Sequence, residues 1–182
     1  MQDLSLYNGP LPTTKIYTQW ENIARERNCG ALCVFTGIVR QEESKEKLQR
    51  DSKAQPNTES HAHTQSHGGI DSHNPCAHMV SALSFEVYEP LLYKWFQSWQ
   101  AKAKEMGAVL LMAHSVGDVS HTQSSYMCAV ISRQRRVALA LYEEFIEDFK
   151  ANAPIWKYDI IDGEKVFALS RSMPINGSGV LG

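Results

Sequence analysis

Three arginines lie close together where the sequence predicts the start of a helix. Arg133, Arg135 and Arg136 precede or open a segment whose apolar spacing predicts a helix over residues 135–150. A helix N-terminus already carries about half a positive charge, so arginines there are unfavourable unless an anion offsets them. Backbone N–H groups and guanidinium forks together suit a phosphate or a carboxylate. Two interpretations stay open: an anion site, or arginines that are solvated or paired with acids elsewhere.

Two lysines follow at and beyond the end of the same predicted helix. Lys150 closes the helix, where a cation is favourable in any case, so a capping role is the commoner one. Lys157 follows Trp156 in a predicted strand, shortly after Pro154. An ammonium group in a partly apolar niche would have a pKa below the free value of about 10.4. A core tryptophan beside a surface lysine is the simpler alternative.

Familiar catalytic motifs do not occur in the sequence. We find no GxSxG, Walker A or HExxH pattern. Glu86 and Glu89 are close in sequence, but a strand that runs into a helix start does not make them an acid/base pair. A site of lysines and arginines that acts on an anionic substrate is the chemistry that remains.

A polar, histidine-rich stretch interrupts the apolar pattern between residues 41 and 79. It holds five of the seven histidines, together with Cys76. A stretch with so few large apolar residues cannot offset its ordering entropy, so we expect a disordered insertion at about 43–78. Weak zinc or nickel binding is plausible, but a functional metal site needs fixed ligands and support around them, and we assign none. These histidines are His61, His63, His67, His73 and His78.

Length and composition favour one domain over residues 1–182, with a loose tail at 171–182. The chain has 182 residues, of which 43% are hydrophobic, and a formal net charge of -2. This near-neutral balance gives no reason to expect nucleic acid or a membrane surface as partner. Without a secretory leader or a long apolar run, the chain is expected to be soluble and cytoplasmic, with its four cysteines reduced.

The predicted elements mix hairpin-like strand neighbours with three main helices. This order favours an α+β fold with a largely antiparallel sheet over a regular βαβ succession. Thr14 could cap the first helix, and Asp162-Gly163 is a strong signal for a two-residue hairpin turn. The predicted helices cover residues 13–28, 90–107 and 135–150; the strands cover 31–39, 80–88, 108–116, 127–132 and the two runs around Asp162-Gly163.

Five segments together resemble the MoaE family, the large, catalytic subunits of molybdopterin synthase. They occur in the family's order and, except at the insertion, with its spacing, over about residues 29–168. The last of them is the most specific. The segments are FTGIVR at 35–40, SFEVYEP at 84–90, AHSVGDV at 113–119, SRQRRVAL at 132–139 and KANAPIWK at 150–157.

The resemblance implies an α/β-hammerhead fold and a sulfurtransferase of molybdenum cofactor biosynthesis. Such an enzyme transfers two sulfurs to a cyclic pyranopterin monophosphate. The donor is a small ubiquitin-like carrier subunit of the MoaD type, whose C-terminal Gly-Gly ends in a thiocarboxylate. The assembly implied is a homodimer of large subunits, and a heterotetramer with the carriers. No cofactor is implied, and no cysteine is required, because the sulfur arrives with the carrier.

The resemblance also implies the residues of the site. Lys150 would be the principal catalytic lysine, and Lys157 the second. The pterin phosphate would lie in an anion pocket near the dimer interface. The substrate-binding set, which includes both lysines, would be Ile38, Val39, Arg40, Gln134, Arg135, Lys150, Lys157, Tyr158 and Asp159.

Several positions depart from the family pattern. Gln134 stands where the family usually has histidine, and Ser115 where it usually has arginine. Tyr158 and Asp159 replace a lysine or arginine and a glutamate. Two alternatives therefore remain beside the enzyme: a non-catalytic or weakened paralogue that binds the carrier, or metal through its His-rich insertion, and a regulator that binds the carrier without turnover. The presence of both Lys150 and Lys157 favours the enzyme.

Overall fold

The computed structural model describes residues 3–41 and 80–168. The predicted insertion at about 43–78 and the predicted tail at 171–182 lie outside these residues. In the described part, no helix is long and apolar enough to cross a membrane.

Three helices and seven strands make up the described residues. The helices are α1 (Thr13–Glu26), α2 (Glu89–Glu105) and α3 (Arg135–Asn152). The strands are β1 (Leu4–Asn8), β2 (Ala31–Ile38), β3 (Val80–Val87), β4 (Ala108–Ser120), β5 (Ser124–Ser132), β6 (Ile155–Ile161) and β7 (Glu164–Phe167).

The strands form one largely antiparallel sheet in the order β2-β5-β4-β3-β6-β7. Strand β1 lies beside β4 and is parallel to it. Sequence analysis missed β1, because only five residues form it and their side chains do not alternate between buried and exposed. The predicted α+β arrangement of three helices on a mainly antiparallel sheet is confirmed.

Strand β4 joins the two halves of the sheet. Residues 112–116 pair with β1, and residues 117–120 pair with β3 on the same side. Gly117, at the junction, has a φ of +78°, a conformation that an L side chain rarely adopts. The prediction that this strand ends at residue 116 was therefore wrong: the glycine bends the strand without ending it, and β4 continues to Ser120.

Alternating residues of the central strands supply two cores, one on each face of the sheet. Leu110, Met112, Cys128 and Val130 pack under α2 and α3, while Leu111, Ala113, Ala129 and Ile131 pack under α1. This alternation is the period-2 pattern of a strand that is buried on both faces.

Helices and turns end or begin where the residue types favour it. Helix α2 is followed by Gly107 with a φ of +69°, and α3 ends two residues before Pro154. The β6–β7 turn is formed by Asp162 and Gly163, both with positive φ, so the predicted hairpin is confirmed. The predicted Thr14 cap was wrong: α1 begins after Pro12, and no side chain caps it.

A buried histidine lies between the two halves of the sheet. The ring of His114 contacts the rings of Phe85, Tyr126 and Phe149, and its Nδ1 is 2.7 Å from the carbonyl oxygen of Ser115. Burial lowers the pKa of His114 from 6.5 to about 4, against the smaller opposing effect of that hydrogen bond. The imidazole is therefore neutral near pH 7.

This shifted pKa makes stability depend on pH in a defined window. The unfolded chain takes up the His114 proton near pH 6.5 and the folded chain only near pH 4. The free energy of unfolding should therefore fall on acidification through that window, by up to about 3 kcal/mol from this residue. Urea unfolding of the parent and of His114→Phe at several pH values measures this term. Curves that stay parallel from pH 7 to 4 would contradict it.

Candidate active site

One group of candidate residues lies at the N-terminal end of α3. Gln134 is the residue before the helix, and Arg135 is its first residue. The first turn contains no acidic residue, and no side chain caps it. Gly30 and residues 133–136 line an open cavity of about 520 Å³. The predicted arginine cluster at a helix start is thus confirmed, and it faces space that could hold an anion.

Gly30 lies close to the backbone of Arg133 at the floor of this cavity. A Cβ atom on Gly30 would lie 3.2 Å from the carbonyl oxygen of Arg133, closer than most real Cβ contacts. The close approach keeps the start of β2 beside the start of α3. We call Gly30 and residues 133–136 the arginine end.

Lys150 lies at the opposite end of α3, in its last turn. Its ammonium group is 3.2 Å from a carboxylate oxygen of Glu147, and both side chains are exposed. An exposed pair of this kind contributes little to stability, so the ammonium group can exchange partners readily. The helix backbone, more than this ion pair, therefore determines where Lys150 is held.

Lys157 lies on β6, half-buried, opposite Phe85 of β3. Burial lowers the pKa of its ammonium group, Asp159 raises it, and Arg40 lowers it. These three charged groups therefore form one electrostatic cluster. Asp159 is only 3% exposed, which strengthens its effect on Lys157. The partly apolar niche that the sequence suggested for this lysine is present.

Alternation along β6 separates Tyr158 from its two neighbours. Lys157 and Asp159 face the side of Phe85 and Leu83, where Val39 packs as well. The ring of Tyr158 contacts Phe167 on the other face of the strand. Among the predicted substrate-binding residues, Tyr158 is thus directed away from the cluster of Lys157, Asp159 and Arg40.

The end of β2 leads into the same cluster. Val39 is buried beside Phe85 and Val119, Arg40 follows it, and Ile38 is 58% exposed. The predicted group of Ile38, Val39 and Arg40 therefore reaches the neighbourhood of Lys157.

Stacked aromatic rings bring Lys150 to this end of the molecule too. Phe149 stacks on Tyr126 with 3.9 Å between ring centroids, and Tyr126 pairs with Gly37 of β2. His114 links these rings to Phe85, which faces Lys157. We call Arg40, Lys150 and Lys157 the lysine end. Lys150 lies fifteen positions after Arg135 on one helix, about 22 Å along its axis at 1.5 Å per residue, so the two ends are far apart within one copy.

Comparison with known proteins places this arrangement in a family. A family model described as "MoaE protein" matches residues 56–152. A molybdopterin synthase catalytic subunit of Helicobacter pylori (strain ATCC 700392 / 26695) is 40% identical over 178 residues, which are 98% of this chain and 99% of the relative. The chain belongs to the MoaE family. A Bacillus subtilis (strain 168) molybdopterin synthase catalytic subunit is 33% identical, over 84% of this chain and 80% of the relative.

Solved structures of the MoaE family share the fold. The Helicobacter pylori 26695 complex of subunits 1 and 2 of molybdopterin-converting factor contains a chain that is 40% identical, with a TM-score of 0.76 and full coverage of both chains. Molybdopterin synthase from Staphylococcus aureus has a TM-score of 0.62 at 21% identity, over 92% of this chain and 97% of that one, and shows the fold alone. The predicted relation to MoaE proteins, and with it the hammerhead-like fold, is confirmed.

Sequence analysis missed one polar group near the lysine end. The indole N–H groups of Trp95 and Trp99 both donate to Asp148, two residues before Lys150. The i, i+4 spacing of the tryptophans on α2 was the available signal, but nothing in the sequence indicated which acceptor they would meet.

The charges around Lys157 predict opposite effects of two substitutions. Asp159→Asn removes the effect that raises the pKa of Lys157, so that pKa should fall further. Arg40→Met removes a like charge, so the pKa should rise. Both shifts can be measured by NMR titration of the lysine side-chain carbons. Glu21→Gln, which removes an acid on the surface of α1, is the control and should leave Lys157 unchanged. Shifts of the same sign in the two variants would contradict this assignment.

Proposed function

We propose that this chain is the catalytic subunit of a cytoplasmic molybdopterin synthase, a sulfurtransferase that acts on cyclic pyranopterin monophosphate. The observation that carries the proposal is the electrostatic interaction of Lys157 with Arg40, in a chain whose relatives are molybdopterin synthase catalytic subunits. Ring contacts through His114 link Phe149, the neighbour of Lys150, to Phe85, which lies opposite Lys157. A scaffold that only bound a partner would not need two lysines there.

The sulfur donor is a small carrier subunit of the MoaD type that ends in a thiocarboxylate. Support comes from the Helicobacter pylori relative, which was solved as a complex of subunits 1 and 2 of molybdopterin-converting factor. The thiocarboxylate sulfur attacks a ring carbon that bears oxygen and forms a C–S bond, while the C–O bond at that carbon breaks and the oxygen leaves as water or stays on the phosphate. Water then takes the carrier's acyl group, which leaves sulfur on the pterin and a carboxylate on the carrier.

Cations at the lysine end match the charge that develops in this step. Lys150 polarises the carrier's carbonyl and stabilises negative charge on its oxygen, and Lys157 completes the pocket with Arg40. The ammonium group of Lys157 is half-buried, so it stabilises a nearby negative charge more strongly than an ammonium group in water does. Asp159 counteracts the cost of burying Lys157 and so favours its charged form.

The arginine end supplies the contact for the substrate phosphate. Arg135 offers a bidentate donor, and the first turn of α3 adds backbone N–H groups and the positive end of its dipole. Gln134 stands where the MoaE family usually has histidine; its amide can donate or accept a hydrogen bond but cannot act as an acid or base. Substrate binding is therefore the role that fits this end.

A homodimer that pairs its β2 strands would unite the two ends. Strand β2 is at the edge of the sheet in the described residues, and its eight residues, ALCVFTGI, contain no charge and no proline. Natural edge strands usually carry such residues to block pairing, so a bare edge favours a partner strand. A second copy related by a two-fold axis would pair there in antiparallel orientation.

Antiparallel pairing would set the start of one β2 beside the end of the other. The arginine end lies at the start of β2, and Ile38 and the lysine end lie where β2 ends. Each dimer would then hold two sites, each made from the arginine end of one copy and the lysine end of the other. With a carrier on each copy, the assembly is a heterotetramer.

Truncating Lys150 and Arg135 should impair the enzyme in different ways. Lys150→Ala should lower the single-turnover rate of sulfur transfer at saturating substrates by about a hundredfold, because the lysine stabilises charge in the transition state. Carrier binding should persist. Arg135→Ala removes a charge-assisted contact and should mainly weaken pterin binding, by about 1.5–3 kcal/mol. Rapid-quench assays with thiocarboxylated carrier, and calorimetric titration of the pterin, measure the two effects.

Lys104→Ala is the matched control, since Lys104 is an exposed lysine in the last turn of another helix, α2. It should retain parental turnover. A folded Lys150→Ala protein with near-parental turnover would leave Lys150 as a helix cap alone. A parent that binds the carrier but yields no sulfurated pterin would reject the sulfurtransferase proposal.

A further inference from the structure

A single carboxylate joins α2 to the last turns of α3. Oδ2 of Asp148 accepts hydrogen bonds from the indole Nε1 of Trp95 at 2.8 Å and of Trp99 at 2.6 Å. Its Oδ1 accepts one from the side-chain amide of Asn152 at 2.6 Å. We call these four residues the indole clamp. Hydrogen bonds to an ionised carboxylate are among the stronger ones in proteins, so this is a firm link between two helices.

Geometry makes the clamp a constraint on rotation as well as on distance. Trp95 and Trp99 are one helical turn apart on α2, with Cα atoms about 6 Å apart along the helix, and their N–H groups converge on one carboxylate oxygen. The ring of Trp95 also stacks on Phe145, with 5.5 Å between centroids, and Trp99 meets the same ring edge-on at 5.4 Å. Helix α3 can therefore neither slide nor turn about its axis without breaking a bond to Asp148.

Lys150 lies inside the segment that the clamp holds. It is two residues after Asp148 and two residues before Asn152. Its own side chain is exposed and, among the described residues, pairs with Glu147 at the surface. The backbone of this turn therefore determines where the ammonium group of Lys150 lies.

We propose that Asp148 is a positioning residue for the reaction: it touches no reacting group, and it fixes the turn of α3 that presents Lys150. The inference rests on the proposed function, because Lys150 is the group that it positions. A misplacement of about 1 Å at a reacting centre can lower a rate a hundredfold, so a loosened turn should be visible in turnover.

The test is a double-mutant cycle between Asp148 and Lys150 in the full-length protein with its carrier. Asp148→Ala should lower the single-turnover rate at saturating substrates by about ten- to a hundredfold, with carrier affinity unchanged. In a Lys150→Ala background the same substitution should have little further effect, because the group it positions is gone. An equal rate loss in both backgrounds, or no loss in the parent, would overturn the inference.

Controls separate positioning from general loss of helix contacts. Glu144→Gln removes a different polar link between these helices, the ion pair of Glu144 with Lys102, and should leave the rate at the parental value. If Asp148→Ala does not fold, the double variant Trp95→Phe, Trp99→Phe removes the two N–H donors and keeps a smaller aromatic ring at each position. It should reproduce the rate loss, and a parental rate would overturn the inference.

Amide hydrogen exchange gives a readout that does not depend on sulfur transfer. Peptides that cover residues 146–152 should exchange faster in Asp148→Ala, and not in Glu144→Gln, than in the parent. Unchanged exchange in Asp148→Ala would overturn the inference even if the parent proved inactive in sulfur transfer. A parent without turnover but with faster exchange in Asp148→Ala would reject the proposed reaction and keep the clamp.

Discussion

The length of α3 is the constraint on which the rest of this structure depends. An uninterrupted helix from Arg135 to Asn152 holds an arginine cluster at its start and a lysine at its end, and a helix of 18 residues is about 27 Å long. Nothing within one copy can bring these cations to a common small substrate. Either they serve separate functions, or a second copy completes the site. The bare edge of β2, which runs beside this helix, favours the second possibility.

At the lysine end, packing between side chains fixes the position of the backbone that carries the lysines. Lys157 is half-buried opposite Phe85, and its ammonium group interacts electrostatically with an acid, Asp159, and with a like charge, Arg40. The stacked rings of Phe149 and Tyr126 bring the last turn of α3 to the same place. Asp148 then fixes that turn against α2. The Lys157 ammonium group and the backbone that carries Lys150 are thus held by their neighbours before any substrate arrives, which favours electrostatic catalysis.

Much of this architecture could be predicted from the sequence. The apolar spacing of α3, the apolar run of β2 and the Asp162-Gly163 turn are local signals, and the structure confirms a helix, a strand and a turn at these places. The prediction that the β2 strand is buried was wrong, because β2 is at the edge of the sheet in the described residues and its side chains are half-buried or exposed. The separation of Arg135 and Lys150 also follows from the predicted helix length. Residue types at the helix start indicated an anion site, and five matching segments indicated the MoaE family.

Other features depended on contacts that no local pattern encodes. Strand β1 is stabilised by parallel pairing with β4, and the extension of β4 depends on a glycine that bends without breaking the strand. The face that Tyr158 occupies is decided by the register of β6 with β3, which fixes Lys157 opposite Phe85. The acceptor shared by Trp95 and Trp99 comes from a helix about 50 positions later in the chain. Long-range register and side-chain pairing of this kind require the folded structure.

In the proposed dimer, each site is built from the arginine end of one copy and the lysine end of the other. Co-expression of an Arg135→Ala copy and a Lys150→Ala copy under different affinity tags, followed by tandem purification, isolates the mixed dimer. In that dimer one site has both substitutions and the other has neither. At limiting pterin concentration, where each variant homodimer is slow, we expect the mixed dimer to recover about half of the parental turnover. A mixed dimer no faster than the mean of the two variant homodimers would contradict a site shared between copies.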